Sequence, residues 1–276
     1  IIGRRAAHKM HVKIIYTAHG FQFFKGGPLK DWVVFFPIEW FYSHWTDALI
    51  TINTHDFAIA KYLSPKRKYL IHGVGIDKVN RNNLKLIRDK YRKELNLSAN
   101  DYLIISVGEL NKNKNHAAVL KALKRINKPK IKYVIAGIGP EKEKLLRLAN
   151  KLGLKNRFKL LGYVNDLNGL YCAADLNVFV SKREGLGLGG LDGVAHGVYI
   201  IGTKNTGMSD YIKNSNVGLL VNSPNNIGEL AKKIFVSYKE KRKVTDYDSL
   251  KKYEHAYVDE EMKEIYKKEF FGDLIK

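Results

Sequence analysis

Nine short runs rich in β-branched and aromatic residues punctuate the chain: 12–17 (VKIIYT), 48–52 (ALITI), 68–71 (KYLI), 102–107 (YLIISV), 132–136 (KYVIA), 158–161 (FKLL), 176–180 (LNVFV), 199–202 (YIIG) and 218–221 (GLLV). Most are apolar throughout instead of alternating, as expected of strands buried on both faces of a parallel sheet. Segments of helical character separate them. The clearest begins at Pro140, carries Glu141 and Glu143 in its first turn and runs to Leu152 before Gly153. Proline and carboxylates mark a helix start, and glycine marks its end. A basic helix is predicted over 83–95 and a last helix over 259–271. Strands alternating with helices predict an α/β fold.

Six of the runs, from Tyr102 to Val221, make one complete Rossmann-like unit. Only three precede them. At ~30 residues per βα unit, the first unit is expected to be incomplete by roughly 80–100 residues, and the chain opens on Ile1 instead of Met. The expected division is 1–78, 79–258 and a terminal helical segment, 259–276, that packs back on the first unit. Residues 29–45 (LKDWVVFFPIEWFYSHW) are densely aromatic. They read either as a core or interface helix or as a helix lying on an anionic membrane surface. Pro37 is expected to break the period of that helix.

Composition narrows the classes. A hydrophobic fraction of 45% supports a packed core. The single cysteine, Cys172, excludes an intrachain disulfide and a cysteine-rich metal cluster, and reads as a small buried residue. No run of ~18 apolar residues is present, and the first residues lack the pattern of a signal peptide. A cytoplasmic location is the expectation. The 48 Lys and Arg against 27 Asp and Glu give a net charge of +21. That excess attracts polyanions, although a lysine-rich solvated surface would carry the same charge.

Two segments carry candidate chemistry. In 106–116 (SVGELNKNKNH) a strand ends at Gly108 and Lys114 precedes the next helix. Close backbone approach, a lysine charge and the N–H groups of a helix start suit a diphosphate. In 181–192 (SKREGLGLGGLD) Glu184 follows a buried strand, a glycine-rich turn comes next, and Asp192 lies eight residues on. Glu184 can accept hydrogen bonds from sugar hydroxyls, Asp192 can hold a ribose diol, and the intervening N–H groups can cradle phosphate. Gly137 and Gly139 form a lone G-x-G that reads as a turn, and His72 is expected at the junction of the two units. Gly189, Gly190 and Gly193 fall in the helix that carries Asp192, each at a cost of ~1 kcal/mol relative to alanine.

The segments SVGELNKNKNH, AGIGP, LGYVNDL, CAAD and REGLGLGGLD, with IIYTAHGFQFFKGGPLKDW and ITINTHDF upstream, resemble family 4 glycosyltransferases of the two-domain GT-B fold. The nearest likeness is to bacterial enzymes of capsular and exopolysaccharide synthesis. The resemblance covers nearly the whole chain. It implies a partial acceptor-side domain followed by a nucleotide-sugar-binding domain. It also implies a UDP- or similar nucleotide-sugar donor, a lipid-linked or saccharide acceptor, retention at the anomeric carbon and no required metal or cofactor. Localisation at the inner face of the cell membrane, through peripheral contact with anionic lipid, would follow.

By the same resemblance Lys114 binds the donor phosphates, with Gly108, Gly185, Leu188 and Gly189 completing the donor site. Glu109 stands where arginine is frequent, and Lys112 is expected to supply the charge. Glu184 and Asp192 map to the first and second carboxylates of the E-x7-E motif, the second one methylene short. Tyr163 and Val164 map to the base-binding segment, and His19 to the histidine on the acceptor side. Glu184 and His19 are the expected catalytic residues. Because the first unit is short of strands, weak donor binding and little transfer are expected. An inactive remnant that binds a nucleotide-sugar is the first alternative. A basic nucleic-acid-binding protein is the second, but the chain lacks the motifs of one and nucleic acid is not an expected partner.

Overall fold

The computed structural model describes residues 1–272. The chain first forms α1 (Ile2–Lys9), β1 (Ile15–Ala18), α2 (Leu29–Ser43), β2 (Ala48–Thr51), α3 (Thr54–Ile59) and β3 (Arg67–Leu70). The strands pair in parallel in the order β1-β2-β3. Next come α4 (Leu84–Glu94), β4 (Tyr102–Val107), α5 (His116–Ile126), β5 (Ile131–Ala136), α6 (Lys142–Lys151), β6 (Phe158–Gly162), α7 (Asn168–Ala173) and β7 (Leu176–Phe179). The chain closes with α8 (Leu188–Ala195), β8 (Tyr199–Thr203), β9 (Gly218–Val221), α9 (Ile227–Glu240) and α10 (His255–Phe271).

The second sheet is parallel in the order β6-β5-β4-β7-β8-β9. Strand order therefore reverses between β4 and β7, which pair through Ile104 and Leu176. In open α/β sheets the crevice beyond such a reversal is the ligand position. Alternate residues of one strand feed opposite layers: Ile104 packs with Tyr133 and Val178 under α5, α6 and α9, and Leu103 and Ile105 pack with Leu170 of α7. Asp175 fastens α4 to this sheet by accepting from the Leu103 N–H at 2.7 Å while pairing with Arg88 and Arg92.

A third layer runs across both sheets. Ile50 and Ile71 of the first share one buried cluster with Phe179 and Ile200 of the second and with Val258 and Ile265 of α10. Polar ties follow the same seam: the Thr54 N–H donates to Asp210 at 2.7 Å, and His72 Nδ1 lies 2.8 Å from Glu261 on α10. The helix then reaches the edge strand of the first sheet, where Tyr69 OH donates to the buried Glu269 at 2.7 Å.

Several expectations change. Helix α2 contains Pro37 and is continuous to Ser43. The hydrogen bond that proline removes would have ended on the carbonyl of Val33, a residue that is exposed. Trp32 and Phe36 of this helix pack on Phe23, whereas Val33, Val34, Trp40 and Phe41 face outward. The first strand starts at Ile15 because 11–13 are exposed, and α10 starts four residues ahead of its prediction. Cys172 is only half-buried, on the outer side of α7 with Sγ 3.7 Å from Asn168 Oδ1. Helix α1 went unread. Among the described residues no helix is long and apolar enough to cross a membrane.

Candidate functional site

Both loops at the strand-order reversal converge. After β4 the chain turns at Gly108, whose φ of +148° is a left-handed value open to glycine, and a Cβ there would stand 3.2 Å from Lys114 Cε. Asn111 Oδ1 accepts from the Lys114 N–H at 2.9 Å, and Lys114 Nζ reaches over the Phe179 ring at 4.6 Å. After β7, Glu184 turns back, and Lys114 Nζ donates to its Oε1 at 2.7 Å. Both side chains are mostly buried, 19% and 10% exposed. A pair this shielded is screened less by solvent than a surface ion pair.

Asn113 makes this register possible. Its Oδ1 accepts from the Arg183 N–H at 3.0 Å and its Nδ2 donates to the Arg183 carbonyl at 2.9 Å, while the Asn113 carbonyl accepts from the Lys182 N–H at 2.8 Å. Three hydrogen bonds thus staple the two loops one residue short of Lys114 and Glu184. Beneath them His116 sits buried with Nε2 3.2 Å from the Glu109 carbonyl and Nδ1 3.3 Å from Tyr133 OH. Burial pushes its pKa down to about 4, so the imidazole is neutral. Sequence reasoning missed Asn113. The asparagine-rich turn NKNKN was its one signal, since asparagine bonds backbone on both its faces.

Helix α8 begins beside the same point. Gly187, at φ +76°, caps it, and a Cβ on Gly189 would stand 3.0 Å from the Val107 carbonyl at the end of β4. The glycines priced above as helix weaknesses are close-packing positions. A Cβ on Gly190 would stand 2.6 Å from Tyr211 OH, and one on Gly193 2.5 Å from Asn177 Nδ2. The helix therefore lies against the sheet with its unpaired N–H groups beside the Lys114 loop. Leu188, in its first turn, is partly exposed.

Asp192 stands further along α8, and no hydrogen bond joins its carboxyl to Lys114 or Glu184. Burial pushes it up to about 6, with the Asp77 carboxylate adding to the shift and His255 opposing it. Burial raises the pKa of the Tyr211 hydroxyl, and the Glu184 and Asp192 carboxylates both add to the shift. His19 is exposed, and its carbonyl presses on the residue after Glu184: a Cβ on Gly185 would stand 2.1 Å from it. The loop after β1 and the loop after β7 thus meet edge to edge. Lys112 is exposed at the rim, and Glu109 points outward to accept from Asn111 Nδ2 at 2.8 Å.

On the far side of the Lys114 loop, Gly137 packs so tightly that a Cβ would stand 1.9 Å from the Gly108 carbonyl. Ile138 and Tyr163 follow β5 and β6 and are both exposed. Val164 packs inward with the α7 layer. A surface hollow of about 380 Å³ lies elsewhere, between Tyr69 and the lysine stems of α10, and shares no residue with this cluster.

Comparison with known proteins gives this geometry its relatives. The family model described as glycosyl transferases group 1 matches residues 87–252. EpsD of Bacillus subtilis, a protein named as a glycosyltransferase, is 34% identical over 225 residues, covering 80% of this chain and 59% of EpsD. An Escherichia coli UDP-Gal:alpha-D-GlcNAc-diphosphoundecaprenol alpha-1,3-galactosyltransferase is 29% identical over 235 residues, again 80% of this chain and 59% of the relative. This chain therefore spans 59% of the length of each. The structure of Anabaena Alr3699/HepE in complex with UDP and glucose superposes with a TM-score of 0.81 at 18% identity, covering 96% of this chain and 74% of that one. At that identity the likeness shows the fold, and the fold is GT-B, with two Rossmann-like parallel sheets.

Proposed function

The chain belongs to the glycosyl transferases group 1 family, and from that premise we propose that it transfers a sugar from a nucleotide-sugar to a lipid-linked or saccharide acceptor in surface polysaccharide synthesis. The transfer retains the anomeric configuration, and the chain groups with the family 4 enzymes. The observation that supports this most is the shielded Lys114–Glu184 pair at the strand-order reversal, 2.7 Å apart.

Each group has a chemical task in this reading. Lys114 and the first N–H groups of α8 hold the diphosphate, whose negative charge grows as the glycosidic bond breaks. They carry that charge in place of a divalent cation. Glu184, released from Lys114 when the phosphates arrive, accepts from hydroxyls of the transferred sugar. Asp192 takes the ribose diol, and Tyr163 with Val164 flanks the base beside Ile138. His19 stands on the acceptor side, where the incoming hydroxyl approaches the same face that the leaving phosphate departs. That phosphate takes the proton. In the cell the protein works at the cytoplasmic face of the membrane, and its net charge of +21 draws it to anionic lipid.

Calorimetry with UDP, GDP and ADP, followed by NMR of the product formed from the matching nucleotide-sugar, tests the assignment. One diphosphate should bind with micromolar affinity and the product should keep the donor's anomeric configuration. Binding of none of the three, or an inverted product, would overturn it.

A further inference from the structure

Arg183 immediately precedes Glu184, yet its side chain takes the opposite direction. Its Nη1 donates to Gln22 Oε1 at 2.9 Å, in the loop after β1, and its guanidinium lies 5.9 Å from the centre of the Phe24 ring. A Cβ on Gly20 would stand 3.2 Å from Nη2, so the missing side chain at that position leaves the approach open. Among the described residues no carboxylate lies within ion-pair distance of Arg183, although Asp56, Glu184 and Asp31 act on it from further away. Asp56, the first of these, is already occupied, accepting from the Phe21 N–H and from Asn53 Nδ2.

The guanidinium is bonded to one neutral amide through an exposed hydrogen bond, and none of its nitrogens is buried without a partner, so its remaining N–H donors are open to an incoming anion. It has five N–H donors in a planar fork, and among the described residues the side chain donates one hydrogen bond, to Gln22. Burial lowers its pKa, against the opposing pull of Asp56, Glu184 and Asp31. Glu184 therefore stands between two cations: Lys114 on the side of the second sheet and Arg183 on the side of the His19 loop.

We propose that Arg183 is the anion receptor of the acceptor side, taking a phosphoryl group that the acceptor carries next to the sugar hydroxyl to be glycosylated. The assignment rests on the transfer reading above and specifies the acceptor class: a sugar phosphate or diphosphate ester. Two anions then occupy the cleft at once, the donor diphosphate on Lys114 and the acceptor phosphoryl on Arg183, and the transferred sugar passes between them. Gln22 holds the empty fork in position and yields one N–H when the anion arrives.

The test is calorimetry at saturating UDP, with geranyl diphosphate as the probe and geraniol and inorganic pyrophosphate as controls. Wild type should bind geranyl diphosphate more tightly than either control. Arg183→Gln should weaken it at least tenfold, about the worth of one lost charge-assisted contact. Gln22→Ala should leave it within about twofold and Gln22→Glu, which places a carboxylate on the fork, should abolish it. UDP affinity should stay within about twofold throughout. A merely structural tie between the loops would make Gln22→Ala as harmful as Arg183→Gln, overturning the proposal. Unchanged probe binding by Arg183→Gln, or by Gln22→Glu where Arg183→Gln does not fold, would also overturn it. So would a parallel loss of UDP affinity, or equal binding of inorganic pyrophosphate. If wild type takes no UDP the donor reading falls separately, and the probe comparison without UDP still decides the arginine.

Discussion

Lys114 Nζ lies 2.7 Å from Glu184 Oε1 although 70 residues separate them, and both side chains come from loops at the one reversal of strand order in the second sheet. In this structure each neutralises the other. Glu184→Gln should therefore separate binding from chemistry. With the carboxylate gone Lys114 is free for phosphate, so UDP should bind equally or a few-fold more tightly, while transfer falls at least tenfold because the contact to the sugar is weakened. Calorimetry beside a transfer assay reads both. Parallel loss of UDP binding and transfer would assign Glu184 a structural task.

The Asn113 clamp predicts a different signature. Asn113→Ala removes two hydrogen bonds to the Arg183 backbone and should cost about 1–3 kcal/mol in stability. Transfer should fall further than that figure alone would suggest, since misplacing Lys114 against Glu184 by a fraction of an ångström is felt in the transition state. Urea unfolding and steady-state rates on one preparation provide the comparison.

A pH dependence follows from Asp192, held up to about 6 chiefly by burial. The unfolded chain ionises this group near 4, so the folded form binds more proton between about pH 4 and 6. Stability from this group is full below that window and is lost as pH rises through it. Asp192→Asn should thus stabilise the protein at pH 7.5 by about 1–2 kcal/mol, roughly half the full linkage value because the carboxyl is partly exposed. The gain should vanish below about pH 4. Thermal melts of both proteins across pH 4–8 check the sign. A gain that grows toward acid would contradict it.

Backbone contact between the two sheets makes Gly185 sensitive. A Cβ there would stand 2.1 Å from the His19 carbonyl, whereas one on Gly153 meets nothing within 4 Å. Gly185→Ala should cost about 2–3 kcal/mol and loosen the cleft. Gly153→Ala, strained only by its φ of +70°, should cost about 1 kcal/mol. Equal melting temperatures for the two variants would mean that the loops do not press together in solution.

Much of the fold was legible because buried parallel strands announce themselves as unbroken apolar runs. The predicted limits of 102–107 and 218–221 coincide with β4 and β9. Lys114 and Glu184 were found as loop residues after strands. Their contact, and the Asn113 clamp that sets it, could not be read, since local patterns carry no information about partners 70 residues away. The α8 glycines were misjudged for the same reason: a helical position looks costly for glycine until Tyr211 and Asn177 are seen pressing on it.

A crystal structure with a non-transferable UDP-sugar analogue tests the central claim most directly. The account predicts phosphate oxygens on Lys114 Nζ, with the Lys114–Glu184 contact opened and Glu184 turned onto a sugar hydroxyl. An analogue bound away from this cleft, or bound with that ion pair still closed, would contradict it.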